Sequence, residues 1–208
     1  MPHLAEQDHR RPLAAPARRA GQLPQAIAPP VLVITGPSGV GKGTLIGGLL
    51  ERMPGLRLAV SATTREARTG ESDGVDYWFL SQDEFDRRVE AGDFVEHAQY
   101  AGNRYGTLRS ELEHPADGIV LEIDVQGARQ VRETSSQATQ VFIAPPSVDV
   151  LRERLVGRGM DSEEQVRRRL EAAEEELSAQ GEFKEVIVND DLERALQELT
   201  ALAARVFE

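Results

Sequence analysis

From residue 31 onward, short apolar runs alternate with stretches whose apolar residues recur at helical spacing. Val31-Leu32-Val33-Ile34 is β-branched and free of polar residues, as expected of a strand covered on both faces. Leu58-Ala59-Val60, Tyr77 to Leu80, Phe94 to Tyr100, Ile119-Val120-Leu121, Val141-Phe142-Ile143 and Val186-Ile187-Val188 are further strand candidates. Between them, Thr44 to Arg52 reads as a helix stopped by Pro54-Gly55. Ser81-Gln82-Asp83-Glu84 and Ser162-Glu163-Glu164-Gln165 are capping boxes, predicting helices to about Ala91 and about Ala179. Leu192 to Phe207 is the last predicted helix. Thr63 to Gly74 reads as loop, and Gly102-Asn103 as a turn ending a strand. Strands alternating with helices predict an α/β domain with a mostly parallel sheet.

Residues 1–30 break this pattern. They hold Pro2, Pro12, Pro16, Pro24, Pro29 and Pro30, together with the pairs Arg10-Arg11 and Arg18-Arg19. So many prolines supply few backbone donors, and few large apolar side chains are available to bury, so the segment is expected to be a flexible tail. A basic docking arm is the alternative.

Composition narrows the picture in two ways. The 208 residues fit one domain, and no apolar run of about 18 residues suggests a membrane span. There is no secretory apolar core near the start and no cysteine, so a cytoplasmic location is the default expectation. The formal net charge of -11 argues against broad nucleic-acid binding, which depends on Lys and Arg neutralising phosphates. A phosphate ligand would need positive charge gathered locally.

Gly36-Pro37-Ser38-Gly39-Val40-Gly41-Lys42-Gly43-Thr44 supplies such a place. It follows a strand and precedes a helix, where glycines let main-chain N–H groups wrap a phosphate and the helix N-terminus adds partial positive charge. Lys42 is expected to reach the β- and γ-phosphates. A Gly-rich strand-to-helix turn with an exposed lysine is the plainer alternative. The usual loop of this kind has Ser or Thr directly after the lysine; here Gly43 intervenes and the hydroxyl comes at Thr44, an ending similar to that of adenylate kinases. Mg²⁺ is therefore expected to be contacted through water from Thr44, with Asp124 helping. Asp124 closes the apolar run from Ile119, where ligands gather in open α/β sheets, although it could equally cap the next helix.

Ser61-Ala62-Thr63-Thr64-Arg65-Glu66-Ala67-Arg68-Thr69-Gly70-Glu71, Gly74-Val75-Asp76-Tyr77, Glu96-His97-Ala98, Gly102-Asn103-Arg104-Tyr105-Gly106-Thr107 and Glu122-Ile123-Asp124-Val125-Gln126-Gly127 occur in order. In these blocks, and in Ile143 to Ser147, Arg158-Gly159 and Val188 to Asp191, the chain resembles guanylate kinases. The resemblance implies a nucleotide-binding parallel sheet flanked by helices (residues 31–60, 108–146 and 178–208), an inserted GMP-binding lobe (61–107) and a helical lid (147–177). It implies phosphoryl transfer from ATP to GMP with Mg²⁺. Arg65, Arg68, Tyr77 and Tyr105 would hold the GMP phosphate, and Ser61, Glu96, Thr107 and Glu122 would read guanine. Guanidinium forks and phenols suit a dianionic phosphate, and a carboxylate can accept from both the N1–H and the 2-amino group of guanine.

The lid carries Arg152, Arg154, Arg158, Arg167, Arg168 and Arg169, the gathered positive charge. Arg154, Arg158 and Arg169 are the candidates to stabilise the transferring group. Arg167 and Arg168 lie at helical spacing from acids and read as surface ion pairs. Asn189 is placed near the adenine. The stretch between Thr107 and Glu122 is shorter than in familiar members, which should shorten a helix. No residue is assigned to excluding dGMP. The alternatives are a related phosphotransferase such as a ribose-bisphosphate kinase, and a non-catalytic guanylate-kinase-like module that binds proteins.

Overall fold

β1 (Val31–Thr35) is buried at all five positions. Its side chains divide between two cores, Leu32 and Ile34 entering one and Val31 and Val33 the other. That is why the run holds no polar residue before Thr35. The computed structural model describes residues 30–100, 102–135, 137–156 and 163–207. From β1 the chain continues through α1 (Lys42–Arg52), β2 (Leu56–Leu58), β3 (Ser61–Thr63), β4 (Trp78–Phe79), α2 (Gln82–Glu90), β5 (Phe94–Tyr100), β6 (Asn103–Leu108), β7 (Gly118–Glu122), α3 (Val125–Thr134), β8 (Thr139–Ala144), α4 (Val148–Val156), α5 (Glu163–Ser178), β9 (Glu185–Val188) and α6 (Leu192–Phe207).

Five strands in the order β2-β7-β1-β8-β9 form the main sheet, and each neighbouring pair is parallel. Leu45, Ile46 and Leu49 of α1 and Leu196, Leu199 and Leu202 of α6 cover one face, joined by Leu151 and Leu155 of α4. The two helices approach so closely that a Cβ at Gly48 would lie 2.6 Å from Leu196 Cδ2. Val125, Ala128 and Val131 of α3 cover the other face.

The second sheet, β4-β3-β6-β5, is mixed: β3 and β4 run parallel, while β6 is antiparallel to both β3 and β5. It has its own small core of Ala62, Phe85, Phe94 and Leu108, with Phe85 and Phe94 stacked at 4.5 Å between centroids. The N-cap half of the expected capping box is formed, Ser81 Oγ accepting from Glu84 N at 3.2 Å, while the Glu84 carboxylate pairs with Arg87 and Arg88 instead of reaching back. Glu111 joins the two parts. Its buried carboxylate accepts from Arg57 Nη1 at 2.9 Å, Val60 N at 2.9 Å and Trp78 Nε1 at 3.0 Å.

Several sequence expectations shift. The strand expected at Leu58 to Val60 lies at Leu56–Leu58, because β2 pairs with Gly118, Ile119 and Val120 of β7. Asn103 does not merely end a strand; it opens β6. Ser61–Thr63 is a strand, so the following loop begins later than Thr63. The shortened stretch after Thr107 holds a 3-10 turn, Arg109–Glu113. Apart from Pro30 the expected tail lies outside the described residues, as do Arg158, Gly159, Ser162 and the side chain of Arg168.

Candidate active site

β1 hands over to α1 through a loop that only glycine can build at its tightest points. Gly36, Gly39 and Gly41 have φ of 135°, 86° and 99°. At Gly36 a Cβ would also lie 2.2 Å from Ile143 O on the adjacent strand. Lys42 is the first residue of α1, and its Nζ donates to Gly36 O at 2.7 Å and Pro37 O at 3.2 Å. The ammonium is thus held against the loop by two of its carbonyls.

The supports of this loop come from the other end of the chain. Asn189 Nδ2 donates to Val40 O at 2.8 Å, while Arg154 donates to Val40 O at 3.3 Å and Asn189 O at 3.0 Å. Asn189 is buried and is not part of the cavity wall. Its amide braces the loop from beneath by donating to a loop carbonyl. Arg154 likewise faces main-chain carbonyls. Arg169 Nη2 donates to Ser38 Oγ at 2.9 Å. Arg167 pairs with Glu171 at 3.5 Å on an exposed face, as its spacing suggested.

A cavity of about 710 Å³ brings the loop and the second sheet together. Gly36, Ser38, Gly39, Gly41, Lys42, Gly43 and Thr44 form part of its wall, and Ser61, Arg65, Arg68, Tyr77, Glu96, Tyr105, Glu122 and Asp124 form another part. Of the remaining loop residues, Pro37 and Val40 are buried behind it. Thr107 also stands behind the wall; its Oγ1 donates to Glu96 Oε1 at 2.8 Å.

Arg65 makes a fork to Glu71, 2.9 Å on each arm, with its guanidinium 5.3 Å from the centre of the Tyr77 ring. The bond to Arg65 holds the Glu71 carboxyl below its ordinary range, with help from the Arg68 N–H. Burial pushes the Tyr77 hydroxyl upward. Glu96 is 4% exposed, and burial drives its carboxyl up to about 7. Burial also raises Asp124. Asp124 Oδ1 accepts from Gly127 N at 2.8 Å, so this residue does cap α3, and it lines the cavity as well.

Sequence reading missed Glu176. Its Oε2 accepts from Ser38 N at 3.2 Å, and burial lifts its carboxyl to about 7. It follows Arg169 by two helical turns, which puts both on the face of α5 that meets Ser38. That spacing was the available signal, masked by the surrounding run of glutamates. Tyr100, at the end of β5, also lines the cavity and carried no motif.

The guanylate kinase family profile matches residues 29–205, nearly all of the chain beyond the proline-rich start. The chain belongs to the guanylate kinase family. A guanylate kinase of Synechococcus sp. is 55% identical over 170 residues, covering 80% of this chain and 90% of that protein. The guanylate kinase of Frankia casuarinae is 53% identical over 173 residues, covering 82% and 94%. Among solved structures, the guanylate kinase of Anaplasma phagocytophilum superposes with a TM-score of 0.70 at 34% identity, covering 86% of this chain and 87% of that one. Membership makes the protein an ATP:GMP phosphotransferase, and it sets aside the ribose-bisphosphate kinase and protein-binding alternatives.

Proposed function

We propose that ATP binds with its phosphates on the Gly36–Thr44 loop, and that GMP binds against the second sheet with its phosphate on Arg65, Arg68, Tyr77 and Tyr105 and its base toward Ser61, Glu96, Thr107 and Glu122. The observation that carries this reading is that loop and sheet share one cavity, so the two phosphates can meet inside it. A GMP phosphate oxygen attacks the γ-phosphorus, the bond to the bridging oxygen breaks, and ADP leaves. No protein nucleophile is needed. The protein contributes positioning and charge neutralisation. Lys42 turns from the Gly36 and Pro37 carbonyls to the phosphates, and Arg154, Arg158 and Arg169 serve the same charge from the lid.

Oxygen donors suit Mg²⁺, which keeps several waters and takes few protein ligands. Thr44 and Asp124 both line the cavity, and Asp124 has one oxygen beyond its cap to Gly127, so these two would face an ion held with ATP, through water. Mg²⁺ would neutralise charge on the β- and γ-phosphates.

The test is a coupled assay of ADP release from Mg-ATP with GMP, dGMP, AMP, CMP and UMP offered separately. Turnover with GMP, with or without dGMP, and none with the others is expected. Preference for another base would refute the roles given to Glu96 and Glu122.

A further inference from the structure

Gly127 is the third residue of α3 and its Cα faces the Glu96 carboxyl. A Cβ there would lie 2.4 Å from Glu96 Oε2, 3.0 Å from Cδ and 3.4 Å from Cγ. The three nearest atoms all belong to that one side chain. The backbone does not require glycine here, because Gly127 is not among the residues with positive φ. Glycine in a helix costs stability relative to alanine, so nothing local favours it at this position. The closest obstacle to a side chain here is the Glu96 carboxyl.

Glu96 has little room to move elsewhere. It is 4% exposed, Thr107 Oγ1 holds its Oε1 at 2.8 Å, and its Oε2 lies on the Gly127 side. A carboxylate that accepts from both the N1–H and the 2-amino group of a guanine must present two oxygens in one plane. A methyl at residue 127 would push Oε2 back by about an ångström to reach ordinary contact, and that tilts the plane.

We infer that Gly127 is a positioning residue for base recognition: its absent side chain is the seat of the Glu96 carboxylate. The inference rests on the reading of Glu96 as a guanine-contacting group. The clash falls on the far end of a flexible side chain rather than on backbone, so its consequence is functional more than structural.

Three variants test it by steady-state kinetics and thermal melting. In Gly127→Ala the KM for GMP should rise about tenfold or more, the size expected when a buried hydrogen bond is misplaced. The KM for ATP should stay within about twofold, and the melting temperature should change by no more than about 5 °C, the helix preference of alanine offsetting part of the crowding at Glu96. Glu96→Asp alone should also raise the KM for GMP. In the double variant the shorter carboxylate withdraws from the methyl, so the penalties should be less than multiplicative. An unchanged KM for GMP in Gly127→Ala, a parallel rise for ATP, an unfolded protein, or penalties that multiply would each overturn the inference. Glu96→Gln separates the two levels. If it leaves the KM for GMP unchanged, the guanine-contact reading itself fails; if it raises that KM while Gly127→Ala does not, only the seat fails.

Discussion

Glu176 Oε2 accepts the main-chain N–H of Ser38 at 3.2 Å, which sets a carboxylate from α5 against the loop that would cradle ATP. Burial raises this carboxyl to about 7, Asp124 adding to the rise and Lys42 opposing it. Below that pH the group is neutral, and above it a negative charge stands where phosphates must come. ATP affinity measured by titration calorimetry should therefore weaken as pH rises from about 6 to about 8, and Glu176→Gln should flatten the profile and bind ATP a few-fold more tightly at the upper end. Parallel profiles in the two proteins would remove Glu176 from the ATP site.

Glu96 predicts a stability effect of definite sign. Its carboxyl has a folded pKa of about 7 against an ordinary value of 4.5. The folded protein thus retains a proton that the unfolded chain releases, and stability falls as pH rises between those values. Glu96→Gln without nucleotide should melt higher than the parent at pH about 8, by the equivalent of roughly 1–3 kcal/mol, with the gap closing toward pH about 4.5. A constant gap across that range would show that burial of the charge is not its origin.

Gly43 has an exposed Cα, and a Cβ there would meet nothing within 4 Å. Gly43→Ala should therefore stabilise α1 by about 0.5–1 kcal/mol, read by denaturant unfolding. The KM for ATP should rise by about threefold or more, since Gly43 lines the cavity where this loop would hold the phosphates and an added methyl crowds them. An unchanged KM would mean that the phosphates do not lie against residue 43.

The fork between Arg65 and Glu71 fixes a guanidinium beside the Tyr77 ring. Lysine keeps the charge but loses the fork and the stacking. Arg65→Lys should raise the KM for GMP by about ten- to a hundredfold, as for loss of a charged hydrogen bond, with little change for ATP. Equal effects on both substrates would place Arg65 outside the GMP subsite.

The elements that the chain announces most clearly are those whose pattern answers to one demand. Val31 to Ile34 is apolar because both faces of β1 are covered, and α6 runs from Leu192 to Phe207 as its periodicity predicts. Gly36 to Thr44 is legible because tight turning admits almost nothing else. β6 is harder to see: Tyr105 lines the cavity, Thr107 holds Glu96 and Arg104 pairs with Asp86, and the polarity of these residues hides the strand. α3 is foreseen only as the helix that Asp124 would cap; its apolar contacts come from Val125, Ala128 and Val131. Asn189 braces Val40 across long range, which no local pattern encodes, and for Glu176 the helical spacing from Arg169 was masked by neighbouring glutamates.

Glu111 has a mechanical meaning. Its carboxylate is bonded on one side to Arg57 and Val60, and on the other to Trp78 of the second sheet. One buried carboxylate therefore ties the edge of the main sheet to the second sheet, and Arg57, Val60 and Trp78 keep their spacing for as long as it stays bonded to all three.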